Sequence, residues 1–525
     1  MLLARPAAVR PFLQTELAEG VSYGKILVMF AALVSLFVDQ SFGGVYQSIQ
    51  SYAGGSLGAS ADELPWTSIG YNTFYYVFIL LTPWLVNRFG RKGVFGVGHL
   101  TFGGLSLYLA TTTSLHGFML GRCFQGLAQG TFFVCSVVTV LTLFPAKLRG
   151  IAFSIFSVIS LSGAASGTFI GGWFIDHAYW RGAFVLYALF ATFAGLVIAT
   201  LLEAPGAKKT ARFDVPGIMF AFAAFFGFHY VLSFGERRDW FWSPDIMAFS
   251  LVSAAGFAGF IWRELCEDRC GFIQLRLFHI RNLAVASVLG FGLGVPLFGA
   301  NLFVQYTQTI LGFPPSAAGA LLTLRILAIA FVAPAAVLLV NADKIDGRVP
   351  VAIGFVLVPI SYAMLALQTT PESDFTTFAL AIVISGAGFA CLFSPIANVM
   401  VRSLPEDVRA EGVAIFKLVL LLGGSVATTA LSVVYDHSFA FFQSLLAGQA
   451  TLRHFAHLGI MRPSASLLAV VAQQAQVLAY ADSSKVVALA TLINLPLVAL
   501  LRKPTPTATP AARAQPTSRT VSARS

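Results

Sequence analysis

The stretch Trp84-Leu85-Val86-Asn87-Arg88-Phe89-Gly90-Arg91-Lys92 decides the fold. It stands between two apolar runs, roughly residues 66–86 and 94–113. Each run is long enough to cross a bilayer, which takes about 20 residues as a helix. So short a link between two such helices is a tight turn at a membrane face, and Arg88, Arg91 and Lys92 make it basic. Basic loops collect on the cytoplasmic side. Gly90 supplies the backbone freedom such a turn needs.

The rest of the chain reads the same way. Of 525 residues, 57% are hydrophobic and 11% charged, whereas soluble domains carry about 25% charge. So few charges could not cover a water-exposed surface, so the chain is an all-α polytopic membrane protein embedded in the lipid bilayer. The net charge of +10 comes from short loops, not from one basic face or stripe. No nucleic acid partner is therefore expected. Cys266 and Cys270 have helical spacing but no His cluster beside them, and no metal site is expected. No Gly-rich lysine loop for phosphate is apparent. Nucleotide hydrolysis is therefore not expected to be the drive, and no cofactor is expected. No His/Asp/Glu or Ser/His cluster at one membrane depth suggests an enzyme. The first apolar run, 26–45, follows about 24 mixed residues and reads as a membrane helix, not a cleavable signal.

Predicted spans are 26–48, 65–87, 93–113, 116–143, 151–175, 183–202, 214–233, 243–262, 283–310, 316–340, 349–369, 375–401, 411–435 and 484–502, a total of 14 helices. An even count places both termini on one side. The loops on that side carry Arg and Lys in roughly fourfold excess over the other, so both termini are predicted to be cytoplasmic. The opposite loops carry only Arg181, Arg237, Arg238, Arg453, Arg462 and Lys485. Residues 1–25 form a cytoplasmic N-terminus, and 503–525, rich in Pro, Thr, Ala, Ser and Arg, a disordered cytoplasmic tail. One outer segment, 436–482, is long: either a mobile loop or a folded hairpin that docks a partner or gates the outer mouth.

With its residues in order, the chain resembles a major facilitator superfamily transporter of the fourteen-helix drug:proton antiporter branch (EmrB/QacA-like), over roughly 26–502. The loop between helices two and three matches the family pattern at Leu85, Arg88, Gly90, Arg91 and Lys92, with Pro83 replacing its Gly and Asn87 its Asp. The resemblance implies a conformational latch there. Asn87 can hydrogen-bond but not form an ion pair. Helix four carries the family's Arg-x-x-Gln-Gly as Arg122, Gln125 and Gly126. Helix five carries its glycine motif as Gly163, Gly167, Gly171 and Gly172, with Thr168 for Pro. Helical spacing aligns the first three glycines, where a neighbouring backbone can approach closely. The resemblance marks this motif as one of antiporters.

It further implies two six-helix bundles, 26–203 and 271–502, with two additional helices in 204–270. A midplane site between the bundles would have access to alternate faces. The implied function is proton-coupled export of hydrophobic or amphipathic small molecules across a bacterial inner membrane. A cation-coupled importer of a polar metabolite on the same scaffold is the alternative. In a two-membrane envelope, segment 436–482 could meet a periplasmic adaptor protein and outer-membrane channel.

Ionisable groups at membrane depth are functional candidates. These are Asp39, Arg122, Arg325 and Lys417, with His99 and His229 as possible additions. Asp39 and Arg122 are read as proton-coupling residues, the other reading being structural: Asp39 paired to Arg122, or Arg122 bound to carbonyls. Arg325 and Lys417 do not suit a purely cationic drug. Either they meet a substrate anion or they snorkel to an interface. Aromatic and polar residues proposed to line the substrate cavity are Tyr46, Gln47, Trp66, Tyr71, Asn72, Tyr75, Gln125, Asn301, Gln305, Tyr306 and Asn398, beside Arg325 and Lys417.

Overall fold

In a bilayer every backbone polar group must be satisfied within the segment, which leaves helices as the form these apolar runs can take. The computed structural model describes residues 16–18, 21–143, 149–203, 213–266, 273–342, 344–449 and 465–502. Fourteen helices in it are long and apolar enough to span a membrane. They are α1 (Tyr23–Ser56), α2 (Trp66–Phe89), α3 (Arg91–Thr111), α4 (Leu115–Leu143), α5 (Arg149–His177), α6 (Arg181–Leu201), α7 (Val215–Phe234), α8 (Pro244–Cys266), α9 (Arg281–Thr309), α10 (Pro315–Asn341), α11 (Arg348–Gln368), α12 (Phe375–Ser403), α13 (Arg409–Gln449) and α14 (Ala465–Leu492). A short antiparallel pair, β1 (Glu16–Ala18) and β2 (Val21–Ser22), precedes α1. With fourteen candidate spans, the first end of α1 and the last end of α14 lie at one face, the terminal face.

Helices α1–α6 and α9–α14 form two bundles, and α7 and α8 pack on each other beside α2. Small residues set the α7–α8 crossing. A Cβ on Gly227 would stand 2.6 Å from the Phe249 carbonyl oxygen, and the Gly256 position is as tight against Ala224. At the terminal face, Asp214 caps α7 by accepting from the Gly217 N–H at 3.1 Å. It also takes Arg263 of α8 on both oxygens, at 2.6 and 2.8 Å. The link between α2 and α3 is one residue, Gly90, at φ 81° and ψ 143°. That conformation is open essentially to glycine alone.

One predicted region is corrected. In segment 436–482, read above as a mobile loop or a folded hairpin, the described residues 436–449 and 465–482 are helix. Without a break, α13 continues to Gln449, and α14 begins at Ala465. The last span therefore starts well before 484. Hydropathy marked where the apolar run lapses, but a helix leaving the bilayer needs no apolar surface and keeps its backbone bonds. Lys485, counted above as an outer-loop charge, lies inside α14. There it pairs with Asp482 at 2.8 Å, one turn away. The tail 503–525 and the segment 450–464 lie outside the described residues.

Candidate functional site

A cavity of about 370 Å³ separates the bundles. Its walls come from α1, α2, α4, α5, α7, α9, α10, α12 and α13. On α1 and α13, both running away from the terminal face, no lining residue precedes Asp39 or Lys417. Those two residues therefore form the cavity floor on its terminal-face side, and the lining extends outward to Gln50, Ser68, Ser233 and Thr429.

The floor is an ion pair between the bundles. Lys417 Nζ lies 3.0 Å from Asp39 Oδ2, with side chains 4% and 0% exposed. The ammonium also donates to Gln40 Oε1 and sits 4.5 Å from the Phe133 ring centre. The other carboxylate oxygen, Oδ1, accepts from the Tyr75 hydroxyl at 2.8 Å. Gln129 donates to the Asp39 carbonyl at 3.2 Å and accepts from Tyr71 at 2.7 Å, while Gln40 donates to Ser160 at 2.8 Å. A buried ion pair is tolerated only with such additional bonds to its remaining lone pairs and protons.

Arg122 is not the partner of Asp39. Its guanidinium lies between the rings of Tyr46 and Tyr71, 3.7 and 4.0 Å from their centres, an arrangement of cation–π attraction. It donates to Gln125 at 2.6 Å, and Gln125 in turn donates to Ser106 at 2.8 Å. Arg325 follows a one-residue break in α10 at Leu324. It is 5% exposed and lines the cavity, with its guanidinium 5.0 Å from the Phe389 ring centre and Tyr362 beside it. Neither Lys417 nor Arg325 snorkels to an interface.

The cavity brings together Asp39, Tyr46, Gln47, Tyr71, Asn72, Tyr75, Arg122, Asn301, Arg325 and Lys417. Five predicted lining residues lie elsewhere. Trp66 packs among Phe226, Tyr230 and Phe234 of α7, with ring centres 5.6–6.2 Å away, because α7 covers the face of α2 that Trp66 occupies. Gln125 stands behind Arg122 as its acceptor. Gln305 is exposed on α9, whereas neighbouring Tyr306 is buried and donates to the Thr370 carbonyl at 2.6 Å. Asn398 donates to Asn341 at 2.8 Å, tying α12 to α10.

Sequence reading missed Tyr76 and Gln129. Gln129 was legible as the continuation of Arg122 and Gln125 along one face of α4. Tyr76 reaches across to α13, 2.7 Å from the Ser425 hydroxyl and 3.1 Å from the Leu421 carbonyl, and nothing in its surroundings announces that. Of the two histidines, His229 lines the cavity. His99 is enclosed in the first bundle, stacked on Phe132 at 3.7 Å.

The α5 glycines face two different helices. A Cβ on Gly163, Gly167 or Gly171 would meet the α1 backbone, at 3.2 Å from the Phe37 oxygen, 2.3 Å from the Ser41 oxygen and 2.8 Å from the Val45 oxygen. A Cβ on Gly172 would instead stand 2.4 Å from the Pro315 carbonyl of α10. Nearby, Asp176 accepts from the Ser316 N–H at 2.7 Å. Close backbone approach thus holds α5 both to the helix carrying Asp39 and to the opposite bundle.

In the basic turn, Arg91 donates to Thr142 of α4 at 2.8 Å and Lys92 to the Thr200 carbonyl of α6 at 3.2 Å. These contacts stay within the first bundle. Arg88 is exposed and Asn87 half-buried at the end of α2.

Comparison with known proteins agrees with this architecture. The chain is 24% identical over 387 residues to the multidrug export protein EmrB of Escherichia coli (strain K12), covering 73% of this chain and 75% of that protein. It is 25% identical to EmrB of Haemophilus influenzae, covering 71% and 73%. Among solved structures, a POT family transporter in complex with 5-aminolevulinic acid superposes with a TM-score of 0.59 at 16% identity, covering 91% of this chain and 96% of that one. The fold is thus shared well beyond sequence similarity. The Major Facilitator Superfamily model matches residues 28–306 and 286–450. With two six-helix bundles around a charged cavity between them and that match over most of its length, the chain belongs to the Major Facilitator Superfamily, a family of transporters.

Proposed function

We propose that this protein exports hydrophobic or amphipathic small molecules across a bacterial cytoplasmic membrane in exchange for protons. The observation that carries the reading is the floor of the cavity. Asp39, the one carboxylate among the described lining residues, lies at the terminal-face end of the cavity and holds the two bundles together through Lys417. A proton arriving on Asp39 removes the charge that binds Lys417, which releases the floor toward the terminal face. Loss of that proton into the cytoplasm restores the pair. A proton crossing 100 mV contributes about 2.3 kcal/mol to this cycle. The Arg and Lys excess on the terminal-face loops supports a cytoplasmic placement of that face. The names of the EmrB relatives favour export over import.

Everted membrane vesicles test the exchange. Acidifying the lumen should drive substrate inward in wild type. Asp39→Asn should insert normally and lose the pH-driven component. Undiminished pH-driven transport by that variant refutes the role of Asp39, and substrate loss from the lumen on acidification would mean import.

The prolonged α13 and α14 are, on this reading, where a periplasmic adaptor leading to an outer-membrane channel would dock. Replacing residues 440–475 by a short linker should abolish co-purification of such an adaptor. Unchanged co-purification removes this partner from the proposal.

A further inference from the structure

Among the described residues that line the cavity, Asp39 is the one carboxylate, and it stands with three cations, Arg122, Arg325 and Lys417. Both Asp39 oxygens are engaged, one by Lys417 and one by Tyr75. The ammonium of Lys417 thus occupies the place where a cationic ligand would meet the carboxylate. Arg122 is shielded between two rings and bonded to Gln125. Arg325 is different. It is buried, lines the cavity, and has no acidic partner among the described residues. Its Nε makes no hydrogen bond, and its surroundings are the ring of Phe389 and the hydroxyl of Tyr362.

A buried guanidinium without a counter-ion is costly. Its planar fork of donors matches a carboxylate in two-point geometry. His229, whose Nε2 is likewise unpartnered, lines the same cavity. Aromatic and aliphatic walls from Tyr71, Phe298 and Ile329 complete a pocket for a flat apolar body.

We infer that the cavity takes amphipathic organic anions, with the ligand's carboxylate or phenolate on Arg325, and that it excludes permanent cations because Lys417 already holds Asp39. This rests on the reading that the cavity is the transport site. It adds the charge class of the substrate.

Three probes that share one naphthalene body test it: 2-naphthoate, 2-naphthamide and a 2-naphthyl trimethylammonium salt, each titrated calorimetrically into the purified full-length protein. Naphthoate should bind about tenfold or more tighter than naphthamide, as expected for one charged hydrogen-bonded contact. The trimethylammonium probe should bind more weakly than naphthamide. Arg325→Gln should reduce naphthoate to the naphthamide level and leave naphthamide within about twofold. Arg325→Lys, which keeps charge but loses the fork, should fall between. Equal binding of anion and amide by wild type overturns the inference without any variant. So does preference for the cation, or unchanged naphthoate affinity in both Arg325 variants. The exporter reading fails separately: naphthoate binding through Arg325 without any proton-driven flux would refute export and leave the anion site standing. Proton-driven flux of the trimethylammonium probe without naphthoate binding would do the reverse.

Discussion

Removing Lys417 tests the bridge between the bundles most directly. In Lys417→Met the apolar stem is kept and the ammonium is lost. Asp39, with a side chain 0% exposed, then retains the Tyr75 hydroxyl as its one side-chain donor among the described residues. Breaking a buried pair by deleting one partner costs about 3–5 kcal/mol, since the remaining charge is uncompensated. Asp39→Asn strands Lys417 in the same way, but Gln40 still accepts from the ammonium, which places this variant near the lower end of that range. In the double variant no unpaired charge remains. Replacing both members of a buried pair by neutral groups is often neutral or stabilising, so the double variant should be more stable than either single one. The coupling energy should then be about 3 kcal/mol or more, well above the few tenths seen for independent sites. The assay is reversible unfolding in mixed micelles for wild type, the two single variants and the double variant. A coupling energy below about 0.5 kcal/mol, the range of simple additivity, would refute the argument.

Three further outcomes follow from the helix contacts. Gly167→Ala should destabilise the protein by about 1–3 kcal/mol and slow transport, because the new methyl meets the α1 backbone. Gly104→Ala, at a position that does not line the cavity and where a Cβ meets nothing within 4 Å, is the matched control, and equal effects in both would discount the α1–α5 contact. Gly90→Ala should cost about 1–3 kcal/mol through its backbone angles alone, measured by the same unfolding assay, and a neutral result would contradict the tight turn. Asn87→Asp should shift the protein toward outward-facing states, seen as lower labelling of a reporter cysteine on the cytoplasmic side. Unchanged labelling would count against a latch at that turn.

The helices were legible because each must present about 20 apolar residues to lipid, and the basic turn at Gly90 punctuated the second and third. The extension of α13 was not, because residues beyond Tyr435 such as His437 and Gln443 have left the apolar pattern while the helix goes on. Asp39, Arg122, Arg325 and Lys417 could be picked out as candidates because charge at membrane depth is rare. Their partners could not be assigned: Asp39 and Lys417 are 378 residues apart, and nothing local distinguishes a cation that pairs across the bundles from one that stacks on tyrosines. Trp66 and Tyr71 carry the same aromatic signature, and only the arrival of α7 on one face of α2 separates the packing residue from the cavity residue.

The length of α13 gives it a mechanical consequence. At about 1.5 Å per residue, its 41 residues make a rod of about 60 Å, twice the hydrocarbon thickness of about 30 Å. Lys417 sits near one end, so some 32 residues, or about 48 Å, separate it from Gln449. A pivot of about 5° at Lys417 would carry the far tip through about 4 Å of arc. The rod thus works as a pointer pivoting at the cavity floor, with a long arm that crosses the bilayer and projects beyond it. A change in the bond between Lys417 and Asp39 is magnified where a distance probe near Gln449 can read it.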